Sequence, residues 1–242
     1  MKNKKFIVFG RGYLASNICA LNKKKFVSID NLNQLKKISL NSETSYIIYY
    51  LAIRKSKSIN FNLNIYKNLT KHFHNKSYKI IYFSTTEFNN NNYYKIHKKI
   101  EKNIDKKKNL IIRVCQIFGG DISKSNSYGI NGFANKIKNK NFLIINSDYQ
   151  NRRKYLSIFN LNKTINNQKL LNLNGIIYLA SQKSLSYLEI LEIIYKYSRD
   201  KIKIIVKNYE REVKKPKSIF YSNKYKKIFL KENFEKNIRK LI

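Results

Sequence analysis

Tryptophan is absent from the 242 residues, proline occurs once, and there are only two cysteines. Cys19 and Cys115 lie far apart and form no C-x-x-C pair, so nothing suggests a disulfide framework or a cysteine metal site. Long apolar runs are missing too. The best candidate, YIIYYLAI (46–53), is too short to span a bilayer and suits a buried strand. The start MKNKKFIVFG is basic and then apolar, but glycine and arginine interrupt it too early for a signal peptide. A soluble cytoplasmic protein is the expectation. His72-x-His74 has no companion ligands in its lysine-rich surroundings, so no metal is expected.

Acids are scarce as well: 14 Asp and Glu stand against 50 Lys and Arg, a formal net charge of +36. Such a balance raises a nucleic-acid partner. However, Lys, Asn, Ile, Tyr and Phe are inflated together, and A- and T-rich codons encode all of them. The lysines are also spread from end to end, so codon drift explains the charge and argues against nucleic acid. The hydrophobic fraction of 43% is ordinary for a folded domain, and the length allows a full core.

Short apolar runs alternate with helical spacing through the first half. Strands are expected at 4–10, 25–30, 45–53, 78–86 and 109–119, with helices between them. One helix, over 93–107, would place Ile96, Ile100 and Ile104 on a single face. This alternation predicts an α/β fold, a doubly wound parallel sheet of the Rossmann type. After Gly119 the texture becomes loop-rich with shorter elements. That divides the chain into a Rossmann domain at 1–119 and a smaller, partly interleaved lobe at 120–242.

Two motifs carry chemistry. FIVFGRGYLAS sets Gly10-x-Gly12-x-x-Ala15 between the first strand and a helix. Glycines there allow a tight turn and close approach to a pyrophosphate, and the helix N-terminus offers N–H groups and a positive dipole end. Asp30 ends the second strand 20 residues after Gly10, where an acid would bond ribose hydroxyls. Asp30 favours NAD; Arg11, inside the loop, could pair with a 2′-phosphate and keeps NADP as the alternative.

The second motif is Tyr94-x-x-x-Lys98. Composition alone supplies such pairs, and Tyr197/Lys201 is another. Position separates them, because only Tyr94 opens a helix soon after a strand ending in Ser84-Thr85-Thr86. Residues i and i+4 share a helix face, so Lys98 could stabilise the phenolate and lower the tyrosine pKa. Tyr94 would then move a proton on a sugar hydroxyl while Thr85 bonds the same oxygen.

These pieces resemble the extended short-chain dehydrogenase/reductase family, the NAD-dependent epimerase/dehydratase group that modifies nucleotide sugars. GRGYLAS and IDN resemble its cofactor loop and second-strand end, YYLAI its cofactor-facing strand, and YFSTTEF and YYKIHKKIEKNI its Ser/Thr strand end and Tyr-Lys helix. LIIRVCQIFG and RRKYLSIFNL match later strands. The resemblance implies cofactor contacts at Gly10, Arg11, Gly12, Tyr13, Leu14, Asp30, Asn31, Leu51, Ala52 and Lys98. It implies catalysis by Tyr94, Lys98 and Thr85, and substrate contacts at Thr86, Gln116 and Arg153. Relatives often pair through the helices around the Tyr-Lys motif, which makes a homodimer an open expectation.

The departures are specific. Phe9 takes the usual first glycine's place, Gln116 stands where asparagine is common, and Lys154 and Asn160 replace frequent aspartates. Only eight residues separate Thr85 from Tyr94, a shortened loop. Thr86 precedes Glu87 where dehydratases carry Asp-Glu, which counts against dehydration. The expected activity is therefore C4 epimerisation of a nucleotide sugar or reduction of a keto-sugar. The alternative is a non-catalytic Rossmann protein that binds RNA or a protein complex.

Overall fold

The structure, a computed structural model, describes residues 3–10, 12–23, 25–51, 59–88, 92–123, 129–140, 142–146, 152–198, 203–207, 217–218 and 225–242. The chain begins β1 (Asn3–Phe9), α1 (Tyr13–Ala20), β2 (Phe26–Ile29), α2 (Leu32–Lys36), β3 (Thr44–Leu51) and α3 (Ile59–Phe73). It continues β4 (Ser77–Thr85), β5 (Glu87–Phe88), α4 (Asn92–Asn103), β6 (Leu110–Val114) and β7 (Gln116–Phe118). Then come α5 (Gly129–Lys140), β8 (Phe142–Asn146), β9 (Arg153–Ser157), α6 (Ile158–Ile165), α7 (Gln168–Leu171) and β10 (Gly175–Ser181). The last elements are β11 (Ser184–Leu185), α8 (Tyr187–Tyr197), β12 (Lys203–Lys207), β13 (Lys217–Ser218), β14 (Lys226–Leu230) and α9 (Phe234–Arg239).

Contacts divide the chain into two compact units. The first comprises Met1–Val114, Ile165–Leu179 and Lys217–Ile228; the second takes Cys115–Thr164, Ala180–Pro216 and Phe229–Ile242. The reading from sequence set the divide at Gly119. Here the chain crosses several times, because β10 and β14 come from its later half and complete the sheet of the first unit.

That sheet has seven strands in the order β14-β10-β6-β4-β3-β1-β2. From β10 across to β2 the strand pairings are all parallel. This is the doubly wound α/β arrangement of the Rossmann fold. Strands covered on both faces need continuous apolar runs, and β1, β3 and β4 supply them. One face packs Ile7, Ile48, Tyr50, Ile80 and Tyr82 against Ile65, Leu69 and Phe73 of α3 and Ile96 and Ile100 of α4. Each such side chain, fully buried, contributes roughly 1.5–3 kcal/mol. The other face carries an aromatic ladder, Phe6, Phe26, Tyr49 and Phe83, and the Tyr49 hydroxyl donates to the Ile165 carbonyl at 2.9 Å.

Two boundaries differ from the sequence reading. The helix expected to reach residue 107 stops at Asn103, where Asp105 accepts the Lys107 amide through Oδ1 and turns the backbone. The strand expected over 109–119 is two: β6 belongs to the large sheet, and β7, after Cys115, pairs with β9 in the second unit.

The second unit has its own core, in which Phe118, Ile130, Phe133, Tyr155, Ile190, Ile194, Phe234 and Ile238 are buried. A three-stranded sheet, β11-β9-β7, and a parallel β8–β12 pair complete it. Ser186 and Glu189 form a capping box that starts α8.

Candidate active site

The chain leaves β1 in two opposite directions across the sheet. β2 lies on one side of β1, β3 and β4 on the other. A crevice therefore opens at the carboxyl ends of β1 and β3, the switch point at which open α/β sheets take ligands. Register fixes what lines it. Phe9 pairs with Ile29 and Tyr50, and Leu51 with Phe83, so Gly10, Asp30, Leu51 and the β4 end lie along one edge.

The two glycines have different reasons to be there. Gly10 has φ +148°, and a Cβ on it would meet Leu51 Cβ at 3.1 Å and the Leu51 carbonyl oxygen at 3.3 Å. Both conformation and space demand glycine. Gly12 has an ordinary φ of −83°, and a Cβ there would meet open space. It sits at the N-cap of α1, whose first turn has no side-chain cap and no acid. Those amides and the positive dipole end suit an anion. Tyr13 and Leu14 are half-buried at the start of the helix, and Ala15 is buried beneath it.

Asp30 is partly exposed at the end of β2. Asn31 donates to its Oδ1 at 2.7 Å and caps α2 by accepting the Gln34 amide at 2.9 Å. Arg11 and Ala52 lie outside the described residues. Glycine backbone, an uncapped helix start and a carboxylate one strand away are the parts a dinucleotide needs, so the residues fit NAD.

At the β4 end Ser84 and Thr86 are buried and Thr85 is half-buried. The Ser84 hydroxyl has no hydrogen-bond partner among the described residues. On α4, Tyr94 is half-buried. Lys98 is exposed, its Nζ 6.0 Å from the Tyr94 ring centroid.

The phenol does not behave as the lone Tyr-Lys pair suggests. Burial raises its pKa above the usual 10, Arg113 lowers it, and Glu101 raises it. The charges that act on Tyr94 come from beneath the helix. Arg113 of β6, 9% exposed, donates Nε to Glu101 Oε1 at 2.9 Å and Nη2 to Oε2 at 2.5 Å. Its Nη1 donates to the Tyr178 hydroxyl at 2.5 Å, and the guanidinium lies 5.4 and 5.3 Å from the Tyr178 and Tyr225 ring centroids.

His97, 2% exposed, shares a 2.6 Å hydrogen bond with the Tyr82 hydroxyl through Nδ1, and burial drives its pKa down to about 3. The inward face of α4 thus includes His97 and Glu101 as well as Ile96, Ile100 and Ile104. Sequence reasoning missed both polar residues. Their one signal was the four-residue step from His97 to Glu101, in line with the isoleucines.

Gln116 and Arg153 belong to the second unit. Gln116 is half-buried on β7, its Oε1 3.1 Å from where a Gly129 Cβ would stand. Arg153 opens β9 with its guanidinium 5.6 Å from the Tyr187 ring centroid. Lys154 donates to the Ser181 and Gln182 carbonyls at 2.8 and 2.7 Å. Tyr197 of the other Tyr-Lys pair bonds Glu235, and Lys201 lies outside the described residues. Among the described residues no group of three His, Cys, Asp or Glu could hold a metal ion, and no helix is long and apolar enough to cross a membrane.

No family model matches the chain, and no curated protein matches it. Solved structures do. The UDP-N-acetylglucosamine 4-epimerase of Bacillus cereus superposes with TM-score 0.73 at 18% identity, over 99% of this chain and 95% of that one. The UDP-N-acetylglucosamine 4-epimerase of Methanobrevibacter ruminantium M1, solved with UDP-N-acetylmuramic acid, gives 0.66 at 19% over 100% and 97%. RMD of Pseudomonas aeruginosa, solved with NADPH, gives 0.71 at 11% over 98% and 97%. At these identities the likeness is one of fold: the chain is built on the same Rossmann-type frame as these three proteins.

Proposed function

We propose that the protein is an NAD(P)-dependent enzyme of the extended short-chain dehydrogenase type that epimerises a nucleotide sugar or reduces a keto-sugar. The observation that carries this reading is the edge of the large sheet. A glycine turn, an uncapped helix start, a strand-end carboxylate and a strand-end hydroxyl cluster share it, in register, at the switch point. The solved proteins with the same fold include two nucleotide-sugar epimerases and one structure with NADPH, which supports both substrate class and cofactor.

Gly10, Gly12 and the first amides of α1 would hold the pyrophosphate, Asp30 with Asn31 the adenosine ribose, and Leu51 the wall beside it. The nicotinamide, when bound, supplies a hydride acceptor or donor. The protein's part is the proton. Tyr94 Oη takes it from the sugar hydroxyl in oxidation and returns it in reduction, Thr85 holds the same oxygen, and Lys98 adds positive charge nearby. Thr86 contacts the sugar. NAD is the first choice because Asp30 would repel a 2′-phosphate. Tyr94→Phe should abolish turnover of UDP-sugars while leaving NAD binding intact; undiminished turnover would remove Tyr94 from the chemistry.

A further inference from the structure

α4 holds the charges nearest Tyr94 in two environments. At about 3.6 residues per turn, Lys98 lies about 40° round the helix from Tyr94 on one side, and Glu101 about 20° on the other. Lys98 is exposed, whereas Glu101 is buried against Arg113. Glu101 is farther along the axis, about 10 Å against about 6 Å. Helix side chains lean toward the N-terminus, however, so the carboxylate leans back toward the turn that carries Tyr94. Solvent and salt weaken the exposed charge, with a Debye length of about 8 Å at physiological strength, and a buried ion pair is screened far less. The phenol shows which prevails. Burial raises the Tyr94 pKa most; next Arg113 lowers it, and Glu101 raises it by less.

Sheet register holds the guanidinium at the level of the site. Ser84, Arg113 and Tyr178 are cross-strand partners on β4, β6 and β10, and Ser84 belongs to the strand-end hydroxyl run. Arg113 is fixed there by its two bonds to Glu101, its bond to Tyr178 and the ring of Tyr225. The other titratable groups packed around this side of the helix, among the described residues, are uncharged near neutrality. His97 is unprotonated because burial drives its pKa down to about 3, and its Nδ1 is tied to the Tyr82 hydroxyl. Burial raises the Tyr178 pKa, which keeps that hydroxyl protonated. Tyr66 of α3 bonds the backbone at Asp105, past the far end of α4.

We propose that Arg113 and Glu101 are positioning residues for the Tyr94 phenol, the guanidinium doing what the family resemblance assigns to Lys98 and the carboxylate opposing it. This rests on Tyr94 carrying the proton, as proposed above. The two partners act in opposite senses, so their influence can be separated by sign. Removing the carboxylate's charge alone leaves the guanidinium unopposed and makes the phenol more acidic. Removing both charges loses the larger of the two effects and makes it less acidic.

The test reads the phenol itself. Protein with carbon-13 at tyrosine Cζ is titrated by NMR in about 0.15 M salt, and the Tyr94 signal is assigned by its loss in Tyr94→Phe. Glu101→Gln keeps the shape and an acceptor for Arg113, and should move the titration down by about half a pH unit or more. Glu101→Leu with Arg113→Met should move it up from the wild type. Lys98→Met should move it by less than Glu101→Gln does. The alkaline limb of kcat/KM for oxidation should shift in step with the phenol. Shifts of the same sign in the two buried-pair variants would overturn the proposal, because a loosened core acts alike in both. So would a larger shift in Lys98→Met. If Glu101→Gln does not fold, the double variant decides, and a downward or absent shift in it overturns the proposal. The expected shifts in a protein that turns over no UDP-sugar would remove the sugar chemistry and leave the coupling standing. Turnover lost in Tyr94→Phe, with no shift in either buried-pair variant, would do the reverse.

Discussion

Arg113 grips both carboxylate oxygens of Glu101 across the β6–α4 contact, with side chains 11% and 9% exposed. A buried fork of this kind is expensive to break from one side only. Glu101→Ala should destabilise the protein by about 3–5 kcal/mol because it leaves the guanidinium buried without its counter-ion. Replacing both partners, as in Glu101→Leu with Arg113→Met, should cost far less. Urea unfolding of the two variants checks the difference.

The Tyr82–His97 pair predicts acid sensitivity. The folded-state pKa of His97 lies near 3, below its ordinary 6.5, so the unfolded chain binds the extra proton first. Stability from this group is whole above about pH 6.5 and is lost as pH falls toward 3, at about 1.4 kcal/mol per pH unit within the window. Tyr82→Phe with His97→Leu removes both polar groups and should flatten that slope. Denaturation midpoints at several pH values between 4 and 7 (about the window just given) read it directly.

Gly10 and Gly12 should separate folding from binding. Gly10→Ala forces a side chain into a positive φ against Leu51 and should cost about 1–3 kcal/mol of stability. Gly12→Ala meets open space at an ordinary φ, so thermal unfolding of the free protein should barely move. If the cofactor lies over this turn, Gly12→Ala weakens NAD binding by calorimetry while Gly10→Ala acts mainly on the fold. A Gly12→Ala protein with unchanged NAD affinity would place the cofactor elsewhere.

The phenol of Tyr94 bears on pH dependence. Its pKa is raised above 10, so as a base it needs high pH, and kcat/KM for oxidation should still be climbing at pH 10. In reduction the protonated phenol is the active form, and the rate should hold to pH 10 before declining. A plateau near neutrality would assign the proton to another group, and Tyr93→Phe beside Tyr94→Phe would show whether it is the adjacent tyrosine. Lys98→Met should cost no more than about fivefold, because solvent screens an exposed charge.

The frame of the fold was legible in the sequence because its strands are continuous apolar runs, and the glycine turn because its spacing has one good physical use. Half of the α4 site was not. Ile96, Ile100 and Ile104 define an inward stripe, but they do not say whether 97 and 101 or 94 and 98 continue it. Tyr82 and Arg113, distant along the chain, decide that by offering a hydroxyl and a guanidinium under the helix. The polar side chains that matter most to Tyr94 were therefore visible as residues but not as neighbours. A second, partly interleaved lobe was legible as a change of texture after Gly119, but the strands that return to the large sheet were not, since nothing local in 175–181 or 226–230 says which sheet those strands will join.

That return of β10 and β14 to the large sheet has a consequence for synthesis. β6 is an open edge, with its N–H and C=O groups exposed, until residues 175–181 have left the ribosome, and β10 is open until 226–230 follow. A nascent chain paused before then would display a long apolar strand able to pair with any other. Survival of the growing polypeptide would depend on the speed of translation through the second unit, or on a chaperone that covers the edge meanwhile.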